Sequence, residues 1–442
     1  MKTSTQSVLL IVVLFFAARV ASADNFITAS HEPGNHEITL EQAIETALRL
    51  NPTLAAFAHG VSAAQARLDQ ASLYANPEFD FEAENFGGSG MLGGFSLAET
   101  TFAFSQPILL GGKIAGRKGV AGSDHALATR DLEAVRLDVV ARTTIAFNNV
   151  IVNQENVRLT EELFMVAETF ADTVRARVEA GKVSPVEEIR ARAAAARVRV
   201  EVAKATRALA AARVRLATSW GSSEPRFIRA AGQLPIPTAP PPLDILEGLL
   251  TETPEMARLL QEVERQEQVV KLEKARGVPD LTLTAGPRHF RDTGSWAWVG
   301  GFSLPLPIFD RNQGGRRAAE FELERTRSEV AAERVALESR LAQGLERLRA
   351  ISEEASSYQR EIVPANTEAF EAMSFGFREG KFGFLEVLDA QRSLFEARLL
   401  HLDSLRRYAA ARTQLERLIG HFPGIQKGAA MSRLEPTQGE TP

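Results

Sequence analysis

Four short stretches of the chain alternate apolar and polar residues with period two. In Glu78-Phe79-Asp80-Phe81-Glu82-Ala83-Glu84, an extended strand would carry Phe79, Phe81 and Ala83 on one face and Glu78, Asp80, Glu82 and Glu84 on the other. Asp280 to Ala285 alternates in the same phase. The partner stretches present Phe102 and Phe104 on one face (Thr100 to Gln106), and Trp296, Trp298, Phe302 and Leu304 on one face (Trp296 to Leu304). The pattern predicts strands over about 78–86, 97–106, 280–287 and 295–305, paired as two hairpins through the loops Gly87–Gly94 and Arg291–Ser295.

Each hairpin leads into a stretch with a different period. From Gly112 to Ala180 there is no proline, and Gly116, Gly119 and Gly122 interrupt only the beginning of a run rich in Ala, Arg, Glu, Leu and Val. One helix over 112–180 would be roughly 100 Å long at a rise of about 1.5 Å per residue. The second half repeats it over 314–379, with Pro364 as a kink. Both end in a short glycine turn, and return helices about half as long follow over 185–217 and 384–419. In the last of these, Val387, Ala390, Leu394, Ala397, His401, Ser404, Tyr408, Ala411, Leu415 and Leu418 step by three and four, the seam of a coiled coil. A second row runs beside it through Leu385, Leu388, Arg392, Phe395, Leu399, Leu402 and Arg406. Two seams call for neighbours on both sides, in a ring of helices or an ordinary bundle.

These features occur twice in one order. Pro52 and Pro254 lie 202 residues apart, as do Pro77 and Pro279; Gly181-Lys182 and Gly380-Lys381 lie 199 apart, as do Gly221 and Gly420. Such a period is too long for a solenoid, so the chain divides into two structural repeats, 24–221 and 244–420, joined by a Pro-rich linker over 222–243. Residues 421–442 are expected to be a disordered tail.

The beginning of the chain narrows the setting. Residues 1–23 combine Lys2, an apolar run from Val8 to Ala18 and Ala21-Ser22-Ala23, the pattern of a secretory signal peptide. Without Lys2 and Arg19 the formal charge moves from −5 to −7, an acidity that argues against a nucleic-acid partner. The absence of cysteine excludes disulfides, thiolate metal sites and cysteine catalysis. Past residue 23 no run approaches the ~18 apolar residues of a membrane helix, so entry into a membrane would have to use strands. A soluble sandwich alternates in the same way. If the strands do face lipid, four cannot close a barrel and open edges are not tolerated there; three identical chains pooling their strands would supply about twelve.

The chain resembles the TolC family of trimeric outer-membrane efflux channels, and within it the CzcC-like members that serve heavy-metal efflux pumps. The resemblance spans about Ile38 to Gly420. It rests on Leu50-Asn51-Pro52-Thr53-Leu54, Ala75-Asn76-Pro77-Glu78, Ser105 to Lys113, Leu304 to Gly314 and Leu385 to Gln391. It implies a mainly α fold with a small β part. Strands would join a 12-stranded outer-membrane β-barrel in a homotrimer, and long helices would form a periplasmic α-barrel. Phe79, Phe81, Phe102, Phe104, Trp296 and Trp298 become membrane-interface aromatics, and Glu78, Asp80, Glu82 and Glu84 face the lumen. The turns Gly181-Lys182-Val183-Ser184 and Gly380-Lys381-Phe382-Gly383 would dock a periplasmic adaptor (membrane fusion protein) linked to an inner-membrane RND pump. Glu386 and Asp389, with Glu187 in the first half, match the family's acidic pore gate. Where other members carry an arginine just past the second turn glycine, this chain has Phe382.

No catalytic constellation is present, and no cofactor or metal centre is expected. Gly111-Gly112-Lys113 lacks the first glycine of a phosphate loop and the hydroxyl residue after its lysine, and no Gly-x-Ser-x-Gly elbow occurs. His31 and His36, with Glu32 and Glu37, make a weak metal pattern; His401 reads as a packed seam residue. The function expected is passive conduction of heavy-metal cations through an outer-membrane channel. A duct for drugs or secreted polypeptides, or a soluble periplasmic coiled-coil scaffold, are the alternatives.

Overall fold

The computed structural model describes residues 37–250 and 253–420. The expectations for residues 1–23, for His31 and His36, and for the tail 421–442 fall outside them. In the first half, β1 (Glu37–Ile38), α1 (Leu40–Leu50) and α2 (Pro52–Ala71) precede the hairpin β2 (Glu78–Glu84) and β3 (Glu99–Ile108), then α3 (Lys113–Glu179), α4 (Pro185–Ala217) and β4 (Arg229–Ala230). The second half runs α5 (Leu243–Leu250), α6 (Pro254–Arg276), β5 (Leu281–Phe290), β6 (Ser295–Ser303), α7 (Gln313–Ser357), a π-helical turn over Tyr358–Ile362, α8 (Val363–Arg378) and α9 (Phe384–Leu418). The fold is mainly α with a small β part. The kink expected at Pro364 is this wide turn: proline has no N–H to donate back, and the helix loosens just before it.

The local chemistry of the two halves is the same. Asn51 caps α2, its Oδ1 accepting from Thr53 N at 2.8 Å, and its Nδ2 reaches across to donate to Ser219 O in the turn just past α4. Thr253 caps α6 through its hydroxyl, and a proline follows each cap at the first helical position, where its missing N–H costs nothing. Gly221 and Gly420 both take left-handed φ, and each packs on its own half's proline: a β-carbon would lie 2.9 Å from Pro52 Cγ and 3.0 Å from Pro254 Cδ, respectively. The end of each return helix is thereby locked to the start of its repeat.

The turns into the long helices differ in residue but not in form. Before α3, Gly112 is left-handed; Lys113 Nζ pairs with Asp280 at 2.7 Å, and Leu110 N donates to the same carboxylate oxygen. Before α7 that conformation falls to Asn312, one of the few side chains that tolerates it, and its Nδ2 donates to Glu273 O and Oε2 at 2.8 and 2.7 Å. Asp310 Oδ1 accepts from Asn312 N and Gln313 Oε1 from Arg311 N, so the Asp310-to-Gly314 string braces itself.

The interior is divided along the length of the rods. One belt gathers Ile38, Phe147, Val150, Leu216, Trp220 and Phe227; a second gathers Leu246, Leu341, Leu345, Leu348 and Tyr408; a third lies at the far tips of the long helices. Most of the α9 seam is buried, including Val387, Leu394, Ser404, Tyr408 and Leu415. Of the second row, Phe395 and Leu402 are buried while Leu385 and Arg392 are exposed. The linker contains a structured piece. Its β4 pairs in parallel with β1, and Gln154 of α3 brackets Ala230 with bonds of 3.0 and 2.8 Å to its carbonyl and amide.

Candidate functional site

The two hairpins form one antiparallel sheet in the order β2-β3-β5-β6, with β2 and β6 as unpaired edges. Its register sorts the side chains. Phe79 lies opposite Phe104, Phe81 opposite Phe102, Leu283 opposite Phe302, and His289 opposite Trp296. These residues and Trp298 share one face. Phe79–Phe104 and Phe81–Phe102 are tilted ring pairs with centroids 5.3 Å apart, yet the face is unsatisfied: Trp298 is 83% exposed and Phe302 76%. An aromatic face of this size left in water would be an aggregation surface.

The other face is polar and knitted together. Ser105 Oγ donates to Asp80 Oδ2 at 2.6 Å and lies 3.0 Å from Thr284 Oγ1. Arg288 donates to Thr101 Oγ1 and to Glu99 Oε2 at 2.8 and 3.0 Å, and pairs with Glu84 at 3.2 Å. The four carboxylates of β2 therefore differ: Glu84 is neutralised by a cation and Asp80 is held by a hydroxyl, whereas Glu78 and Glu82 lie exposed on the edge strand. Arg288 escaped the sequence reading, although the alternation, carried from Thr284 through Gly286, puts it on the polar face.

Gly286 lies against the β3 backbone with no room for a side chain. A β-carbon there would lie 1.9 Å from Phe102 O and 2.6 Å from Ala103 Cα. Pro287 follows on this interior strand, at a point where the β3–β5 pairing lapses between Thr101–Arg288 and Phe104–Ala285, so its lack of an N–H leaves no gap in a regular ladder.

At the opposite end, both glycine turns are helix stops of one type. Gly181 N donates to Val178 O and Lys182 N to Arg177 O, each at 2.9 Å; Gly380 N donates to Phe377 O and Lys381 N to Gly376 O, at 3.0 and 2.8 Å. Arg177 of α3 ties the two turns together. It stacks over the Phe377 ring at 4.7 Å and donates to Phe377 O at 3.1 Å, a cation on the open carbonyls of a helix end. Beneath lie Val174, Ala191, Phe377, Phe384 and Val387. Phe382 turns inward onto Gly376: a β-carbon at Gly376 would be 2.2 Å from its ring, which stays 42% exposed.

Glu187 and Glu386 occupy the same place in their repeats, the third residue of α4 and of α9. Ser184 caps α4, its Oγ accepting from Val186 N, and Glu187 is half-buried behind it. Glu386 is exposed but curls back over its helix start; a β-carbon at Gly383 would lie 2.7 Å from Glu386 Oε2. Both carboxylates thus complement the helix dipole. Asp389, one turn on, is exposed.

At mid-height a groove of about 830 Å³ lies between α3, α9 and the linker, lined by Gln154, Arg158, Glu162, Arg398 and His401 among others. Burial pushes the His401 imidazole below its ordinary range, and its Nδ1 has no hydrogen-bond partner among the described residues. Burial therefore favours the neutral form of this seam histidine. Among the described residues, no group of three or more His, Asp or Glu could hold a metal ion, and no helix is long and apolar enough to cross a membrane.

A sheet with one exposed aromatic face, set on a helix about 100 Å long, has the layout of a transport conduit. The chain belongs to the outer membrane efflux protein family, whose description matches residues 43–222 and 245–421. It is similar to the cobalt-zinc-cadmium resistance protein CzcC of Cupriavidus metallidurans, 34% identical over 384 residues that cover 87% of this chain and 90% of that protein. The nickel and cobalt resistance protein CnrC of the same organism is 30% identical, with coverages of 71% and 73%. Among solved structures, a CusC transmembrane channel superposes with a TM-score of 0.72 at 18% identity, covering 87% of this chain and 92% of that one.

Proposed function

We propose that three copies of this chain close their sheets into a barrel in the outer membrane, and that their helices form the periplasmic tube beneath it. In this reading the protein is the passive exit duct of a tripartite pump for heavy-metal cations. The observation that carries it is the sheet itself: aromatic on one side, charged on the other, and open at β2 and β6, so that an edge must meet an edge of another copy before lipid can tolerate either. The metal assignment rests on similarity to relatives named for cobalt, zinc, cadmium and nickel resistance. The turns at Gly181 and Gly380 form the far end of the tube, where a periplasmic adaptor linked to an inner-membrane RND pump would dock. Deleting the gene should lower tolerance to one or more of these cations, and restoring it should recover both tolerance and an outer-membrane pool extracted only by detergent. Unchanged tolerance to all four metals would defeat the substrate assignment; recovery of the protein in the soluble periplasmic extract would defeat the channel.

Asp389 and Glu386, gathered three times around the tip, would set up a cation-holding constriction, with Glu187 beside it. The Glu386→Ala/Asp389→Ala variant is expected to weaken divalent-cation block of conductance in planar bilayers by about tenfold, the loss of roughly 1.4 kcal/mol of cation binding. Block at the native concentration would place the constriction elsewhere.

A further inference from the structure

On the β2–β3 side of the aromatic face, one row is nearly bare. Ala83 pairs with Thr100, and Thr100 with His289, so two small side chains and an imidazole replace the Phe81–Phe102 pair of the level nearer the helices. The gap is a pocket of about 340 Å³. Phe86 and Phe95 wall it on the far side, their rings stacked at 5.9 Å and 3° apart in plane, and both stay exposed. Trp296 leans on His289 at 4.8 Å. Arg291 lines the rim and makes no ion pair among the described residues; Glu84 and Glu99 pair with Arg288 on the opposite face. This end of the sheet carries the hairpin loops, away from the end that leads into α3 and α7.

We propose that this pocket is a lipid site: an acyl chain lies in the bare row between the Phe81–Phe102 and Phe86–Phe95 pairs, and the phosphate of its headgroup pairs with Arg291. The apolar trough is continuous with the face that the proposed barrel turns to the membrane, so the inference rests on that reading. A cation at the rim of such a trough, at headgroup depth, selects an anionic headgroup over a zwitterionic one. A small polar solute would leave the Phe86 and Phe95 rings in water, and a protein helix would be too wide for a single row.

Brominated lipids give the test, because bromine quenches tryptophan on contact. The Trp298→Phe protein leaves Trp296 as reporter, with Trp220 buried against Phe227 as constant background. It would be reconstituted in dioleoylphosphatidylcholine vesicles containing either brominated phosphatidic acid or brominated phosphatidylcholine at equal mole fraction. Phosphatidic acid should be preferred at the reporter by about fivefold, the effect of one basic residue at a headgroup. Arg291→Gln should abolish the preference while leaving the circular dichroism spectrum unchanged. Equal quenching by the two lipids, or a preference that survives Arg291→Gln, overturns the site but leaves the barrel standing. If neither lipid quenches, the sheet does not face lipid, and both readings fall.

Discussion

Replacing Gly286 with alanine is expected to empty the outer membrane of this protein. The added carbon would lie 1.9 Å from Phe102 O and 2.6 Å from Ala103 Cα, both backbone atoms of a strand held on its other side by β2. β5 cannot retreat, because β6 pairs along its length from Thr282 to Phe290. A clash between two interior strands with nowhere to move costs about 3 kcal/mol or more. A loss of that size should lower the folded pool about tenfold or more as the unfolded chain is degraded. Immunoblots of detergent-extracted outer membranes would read the effect. Gly301→Ala is the control, since a β-carbon there meets nothing within 4 Å. Native levels of the Gly286→Ala protein would show that β3 and β5 do not approach as described.

A second large effect is expected at the tip. Gly376→Ala places a carbon 2.2 Å from the Phe382 ring, so the ring must leave its seat. The turn then loses the Phe382 contact, and the backbone around the already exposed Lys381 opens more often. Trypsin should cut after Lys381 about tenfold faster, the equivalent of roughly 1.4 kcal/mol of local opening. Lys182, at the same place in the other turn, is the internal reference and should be unaffected. In the Gly376→Ala/Phe382→Ala protein the two changes should cost less together than their separate effects summed, because both remove one contact. Strict additivity would mean that Phe382 does not hold the turn closed.

Period-two alternation revealed the strands and their faces, and the glycine turns marked the ends of the long helices. Both signals are local, and both come from which side of the backbone a side chain must take. Strand limits were less legible. The second strand, expected over 97–106, runs Glu99–Ile108, because Pro107 looks like a terminator; β2 has already ended its pairing at Glu78–Ser105, so the proline interrupts nothing on that side. The third continues past 287 to Phe290 for a related reason: Pro287 falls where the β3 ladder lapses. Contacts between distant residues were not legible at all. Arg288 with Glu84 and Glu99, and Arg177 across to Phe377, each join segments whose separation in sequence carries no local pattern. At the tip, Glu386 was legible only through the family resemblance, as a member of the acidic gate, and the closure of its carboxylate over the start of its own helix was not.

The unpaired strands β2 and β6 have a consequence for biogenesis. In the proposed trimer, a newly exported polypeptide with both borders open has no route into the bilayer by itself, so insertion should wait on encounters between copies and its rate should climb more steeply than linearly with their abundance. Scarce synthesis would leave unassembled subunits stranded in the periplasm, exposed to proteases, and the cell would acquire ducts only above a threshold of expression.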